Sequence, residues 1–322
     1  MTSHVKSTWS SPRHTRRLAA VAVVAALATP LLAGCGDSGS DKKDPLAGSK
    51  ASGDTVVVGS NNFPESILLG DIYGEALKAK GIKVSYKPNI GSRETTYGLL
   101  KNGSLTVLPE FNGALLAYLD PKATPTTADA TNAAAQAKLD PKLTLLKGSP
   151  AEDKDSLTVN ADTAAKFHLT ADSTIADLAK YGDQITIGAS PEFQTRQQGL
   201  VGLKSVYGLT PKGFKALDAG GPLTQAALKN NNVQAADIFT TDPTITKEKW
   251  VVLQDPKNLF GFENVIPLVY KSGLSQAGVD ALNAVSAKLD TKTLLDLDTQ
   301  VQSDNKDPLE VAKTWLTSAG LL

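Results

Sequence analysis

Apolar positions along this chain alternate between short β-branched runs and longer stretches at helical spacing. The first apolar stretch, residues 18–32, is almost wholly Ala, Val and Leu and is too short to cross a bilayer. Residues 36–54, rich in Gly, Ser, Asp and Lys, hold almost nothing to bury and read as a flexible tether. The folded pattern starts at Thr55-Val56-Val57-Val58-Gly59, a β-branched run closed by glycine, as a buried strand is. Across 64–80, Ile67, Leu68, Ile72, Ala76 and Leu77 recur at helical spacing, with Gly81 as the expected C-cap and a second strand over 82–86. A helix over 95–101 and a strand over 105–108 follow.

The alternation restarts in the middle of the chain. Helices are predicted over 175–180, 199–207 and 223–229, with strands over 185–188, 233–239, 250–253 and 265–270. Helices over 277–289 and 308–316 end the chain, and 122–138 reads as helix with a loose entry. Strand and helix in alternation predict an α/β fold with a mainly parallel sheet in each half.

Charge and cysteine content narrow the picture. Lys6, Arg13, Arg16 and Arg17 precede the first apolar run with no acidic residue among them, and Ala33-Gly34 follows it. A cationic head, a short apolar core and a small-residue cleavage site predict an export signal over 1–34. Leu32-Ala33-Gly34-Cys35 resembles a bacterial lipobox, which implies lipidation of Cys35 and attachment to the extracytoplasmic face of the cell membrane. The alternative is a plain secretory signal with an incidental cysteine, and Arg16-Arg17 leaves twin-arginine and general export both open. The 33 basic and 33 acidic residues become 29 against 33 once the four cations of the signal are removed, so the mature chain is mildly acidic. It has no basic stripe interleaved with aromatics, which argues against nucleic acid as a partner. Cys35 is the only cysteine, so no internal disulfide forms, and the length of about 290 mature residues suits two domains.

Five segments in order resemble the substrate-binding proteins of osmoprotectant ABC transporters, the glycine betaine/choline/carnitine-binding family. They are Gly59-Ser60-Asn61-Asn62-Phe63-Pro64-Glu65; Gly91-Ser92-Arg93 with Pro109-Glu110-Phe111-Asn112-Gly113; Ser190-Pro191-Glu192-Phe193-Gln194-Thr195-Arg196; Phe239-Thr240-Thr241-Asp242; and Asp255-Pro256 through Asn264, then Pro267. The likeness covers nearly all of the chain after residue 54. It implies a two-lobed periplasmic-binding-protein-like fold of type II, with a ligand cleft between the lobes. The first lobe is expected from 55–155 plus 265–322 and the second from 156–264. The resemblance also implies a monomeric receptor, without catalytic activity or cofactor, that captures a small zwitterionic or cationic solute and delivers it to the permease subunits.

The family holds a quaternary ammonium in a cage of tyrosine faces by cation–π attraction, and a carboxylate end by an arginine. On the matching blocks the arginine is Arg196, the cage positions are Phe111, Asp155, Phe239 and Glu263, and Asn61 lies in the loop after the first strand. Two cage positions therefore keep a π-face and two carry acid. A trimethylammonium group donates no conventional hydrogen bond, whereas a primary ammonium or guanidinium donates to a carboxylate directly. A receptor for an amino-bearing cation or zwitterion, an amino acid or polyamine-like solute, thus stands beside the osmoprotectant reading. Asp155 also has a plainer reading, since Ala151-Glu152-Asp153-Lys154-Asp155 has the composition of a solvated surface run.

A surface hydrolase is the other class to weigh. Beyond the signal, the one histidine is His168, at the end of a predicted helix, and there is no Gly-x-Ser-x-Gly elbow, His-Glu-x-x-His motif or phosphate loop. A histidine-based metal site is excluded by the same count. A purely structural lipoprotein would leave the five loop segments without a role.

Overall fold

The computed structural model describes residues 55–322. The export signal over 1–34, the lipidation site Cys35 and the tether over 35–54 lie outside the described residues.

Two five-stranded sheets organise the described chain, each with helices packed on it. The first runs β2-β1-β3-β10-β4, from β1 (Thr55–Gly59), β2 (Lys83–Lys87), β3 (Val107–Phe111), β4 (Leu143–Leu145) and β10 (Val265–Tyr270). The second runs β7-β6-β8-β5-β9, from β5 (Leu157–Val159), β6 (Thr186–Ala189), β7 (Gly213–Ala216), β8 (Ala235–Asp237) and β9 (Val251–Val252). Val56, Val57 and Val58 place β1 inside its sheet, where β-branched side chains pack on both faces. Edge strand β2 shows the reverse, with Lys83 and Ser85 facing water, the usual defence of an unpaired edge.

Helix α1 (Pro64–Lys78) begins with proline at its first turn, where the missing N–H costs nothing. Leu68, Leu69, Ile72, Tyr73, Ala76 and Leu77 form its buried stripe and join Val56, Val58, Val107 and Val269 in one core. Gly81 ends the helix in the left-handed region, at φ 74°. The second sheet has its own core around Leu157, Ile175, Ile187, Leu203 and Ala235.

The chain crosses between the sheets twice. Residues 152–156 carry it from the first sheet into β5, and residues 260–264 carry it back into β10. These segments touch each other, with Glu152 opposite Asn264 and the Asp153 N–H donating to the Glu263 carbonyl at 3.0 Å. Strands β5 and β10, which the chain enters directly from the crossings, run antiparallel to both neighbours. The expectation of mainly parallel sheets is corrected accordingly: each sheet is mixed, with parallel pairing around β1 and β6 only. Hydropathy marks a buried strand but carries no sign of its direction.

Candidate functional site

The loop after β1 is fixed by its own polar side chains. Ser66 Oγ accepts from the Asn61 N–H at 2.9 Å, and Thr96 Oγ1 donates to Asn61 Oδ1 at 2.7 Å. Asn61 is therefore held by its oxygen, which leaves its amide N–H groups as the end that can meet a solute. At the end of β3, Glu110 is fully buried and accepts from Arg93 Nε at 3.1 and 3.0 Å, with Arg93 Nη2 at 3.0 Å. Helix α2 (Arg93–Lys101) starts at this arginine, so one ion pair joins the helix to the strand.

Phe111 closes β3 and packs toward Phe63, with ring centroids 5.9 Å apart, and Phe63 meets Phe239 at 5.0 Å. Because Phe239 follows β8, the three rings form an aromatic wall drawn from both sheets. Asn112 and Gly113, directly after Phe111, dock the second crossing segment: Asn264 N–H donates to Asn112 Oδ1 at 2.8 Å. A Cβ on Gly113 would sit 2.1 Å from the Phe262 carbonyl oxygen, so only glycine permits this approach.

One cavity between the sheets is lined by Asn61, Phe63, Arg93 and Phe111 from the first sheet's side, Ser190, Glu192, Arg196, Asp237 and Phe239 from the second's, and Asp153, Asp155 and Glu263 from the crossings. Its volume is about 50 Å³, room for a few waters, so a larger solute enters only when the sheets part. Besides the Phe63–Phe239 contact, two hydrogen-bonded contacts hold them together. Arg196 spans the cleft to Glu94 through Nε and Nη2, at 2.9 to 3.1 Å. Thr241 Oγ1, beyond β8, donates to Glu65 Oε2 on α1 at 2.8 Å, and its N–H donates to Asp153 Oδ1 at 3.0 Å.

The electrostatics of this space are dominated by acid. Burial pushes Asp237 and Glu263 well above the ordinary carboxylate range, and the neighbouring charge of Asp155 adds to it. Burial also raises Asp155, against the attraction of Arg196 and Arg93. Asp153 is pushed up by burial and by Glu65. At the mouth, Arg196 overrides burial and holds Glu94 down at about 2.

All six side chains expected at the site, Asn61, Phe111, Asp155, Arg196, Phe239 and Glu263, line this cavity. The run 151–155 is not solvated surface but the first crossing, with Asp153 buried. Sequence reasoning left out Asp237, Arg93, Glu192 and Asp153. An aspartate inside the apolar run Val233-Gln234-Ala235-Ala236-Asp237-Ile238 was the available signal for the first, though it names no partner. Arg93 was visible in its Gly-Ser-Arg block, but its partner lies in another block. His168 is an exposed helix C-cap at φ 54°, and lines no part of the cavity.

A two-lobed α/β body with a polar and aromatic cavity at its crossings is the architecture of a solute-binding protein. The sequence matches the OpuAC family, the substrate binding domain of ABC-type glycine betaine transport systems, over residues 54–318, and the chain belongs to that family. The glycine betaine-binding protein YehZ of Escherichia coli K12 is 29% identical over 279 residues, covering 82% of this chain and 90% of the relative. The glycine-betaine-binding protein of Pseudomonas aeruginosa PAO1 is 27% identical over 294 residues, covering 86% and 92%. The crystal structure of a glycine betaine/carnitine/choline ABC transporter protein superposes with a TM-score of 0.64 at 22% identity, over 83% of this chain and 99% of that one. The fold is thus the type II binding-protein fold. Among the described residues no helix is long and apolar enough to cross a membrane.

Proposed function

We propose that this chain is the lipid-anchored, extracytoplasmic receptor of an ABC importer, and that it works as a monomer. It captures a small osmoprotectant with a cationic end, the class of glycine betaine, choline and carnitine, and delivers it to the permease. Cys35 carries the lipid and residues 35–54 act as the tether. Residues 55–155 with 265–322 form the first lobe and 156–264 the second. Asn61, Phe111, Asp155, Arg196, Phe239 and Glu263 are the side chains we assign to the solute, with the aromatic rings receiving the cation by cation–π attraction.

The observation that carries this reading is the cavity itself. It is built from both lobes and both crossings, and is bridged by Arg196 and Glu94 at its edge. Such a space opens and closes by hinge motion about the crossings. The names of the E. coli and P. aeruginosa relatives support a betaine-like solute, as does the carnitine transport binding protein OpuCC of Listeria monocytogenes, 24% identical over 275 residues. Arg196 has Nη1 left for a ligand carboxylate while Nε and Nη2 hold Glu94.

The test is a thermal-shift screen of the full-length chain with quaternary ammonium solutes and with amino-bearing cations. At least one organic cation raises the midpoint, because a ligand that binds only the folded state stabilises it by mass action. A midpoint unmoved by every member of both classes sinks the reading. The second reading, an amino-bearing solute, is favoured by one observation: the acid that replaces half of the cage.

A further inference from the structure

The cleft has more carboxylate than its own cations balance. Arg93 is committed to Glu110 and Arg196 to Glu94, so both guanidinium groups at the cavity are paired with carboxylates outside its acidic wall. That wall is Asp155, Asp237 and Glu263, one from each crossing and one from the end of β8. Glu263 accepts from Gln198 Nε2 at 3.0 Å. Asp237 is only 5% exposed, and its Oδ1 receives no hydrogen bond. An ionisable oxygen buried without a donor destabilises the fold, and it persists where a ligand supplies the missing partner. Among the described residues no three His, Cys, Asp or Glu side chains converge as ligands of a metal ion. The carboxylates line the cavity together with the Phe63, Phe111 and Phe239 rings, which form its apolar wall.

A quaternary ammonium satisfies such a wall only as a point charge, since it has no N–H to give Asp237 Oδ1. A primary ammonium has three N–H donors and a guanidinium five, in geometries that suit separate carboxylates. Resting on the ABC-importer receptor reading above, and taking its second, amino-bearing form in place of the osmoprotectant one, we infer that the cleft selects an organic cation bearing N–H donors, an alkylammonium or guanidinium group received by Asp155, Asp237 and Glu263, over a quaternary ammonium.

The experiment is calorimetric titration of the full-length chain with agmatine, L-arginine and putrescine on one side and glycine betaine and choline on the other. The tightest N–H cation is expected to bind at least about tenfold more strongly than either quaternary solute, the usual margin of a charge-assisted hydrogen bond. Tighter binding of glycine betaine or choline overturns this inference and leaves the receptor reading standing. Binding by neither class overturns both. Asp237→Asn supplies the second arm: affinity for the N–H cation falls about tenfold, because the amide oxygen still accepts an N–H but can no longer become the charge that pairs with the cation. Unchanged affinity removes Asp237 from this role. Asp155→Asn, at a partly exposed position, loses affinity in the same direction, and an unchanged affinity there overturns the inference as well.

Discussion

Asp298 and Glu65 illustrate how much of this molecule's behaviour sits in single buried carboxyls. Asp298 is fully buried at the end of the helix Thr291–Asp298, and Glu65 lies beside it in the first turn of α1. Neither Asp298 oxygen nor Glu65 Oε1 has a well-formed hydrogen-bond donor, and Gln302 eases the shift at Asp298 only in part, so a proton shared between the two carboxyls is expected to supply the missing donor. Burial is the main cause of the upward shift at both, and it lifts Asp298 from its ordinary 3.8 to about 7. A carboxyl whose folded pKa is raised binds more protons folded than unfolded between those values, so it stabilises the fold at low pH and loses that contribution as pH rises through about 7. Asp298→Asn keeps a donor for Glu65 at every pH. Its thermal midpoint is therefore expected to fall less than that of the unmodified chain between about pH 5 and pH 8, a divergence worth a few kcal/mol. Melts recorded across that range check it, and parallel curves refute the shared proton. At this scale the sequence was only partly informative. The place of Arg196 and Glu263 at the cavity was legible because each falls in a block that matches the family, beside aromatic or helix-starting residues. Asp237 and the Glu65–Asp298 pair were not, because a charge inside an apolar run gives no sign of what stands opposite it.

Elements were easier to read than their connections. The β-branched run of β1, the helical spacing of α1 and the strand β10 fall where the pattern placed them, and their cores explain why. The helix Asn112–Leu119 escaped because Ala114, Leu115 and Leu116 are buried in succession, which erases a helical period. Three-residue strands such as β4 and β5 are too short to show an alternation. The crossings are set by contacts between segments far apart in sequence, and Gly113 is the position where this is most exposed to test. An added methyl would press on the Phe262 carbonyl, which is backbone and cannot swing aside. Gly113→Ala is expected to destabilise the fold by about 1–3 kcal/mol. Since Glu263 follows Phe262 in the same segment, solute affinity should fall with it. Urea unfolding and a solute titration of this variant measure the two effects together. A variant with native stability and affinity would mean that the crossing yields freely at this point.

At the scale of the whole molecule, the acidic cavity between the two sheets has a consequence for proton balance. Asp155, Asp237 and Glu263 are all raised by burial, so in the ligand-free state they retain protons at pH values where exposed carboxylates have lost them. A cation placed among them favours their ionised form and must displace those protons. Binding therefore releases protons, and by linkage the affinity for a cation rises as pH rises until the ligand-free carboxyls are themselves ionised. Arg196 and Arg93 both oppose the shift at Asp155, whereas only Arg196 opposes it at Asp237 and only Arg93 at Glu263, which are raised further, so the larger share of the release is expected from Asp237 and Glu263. Titrations at one pH in buffers of different ionisation heat report the number released as the slope of the observed heat. Asp237→Asn should lower that number along with the affinity. An affinity that is flat with pH, with heats independent of buffer, would show that the carboxylates do not meet the cation, whatever solute the cleft encloses.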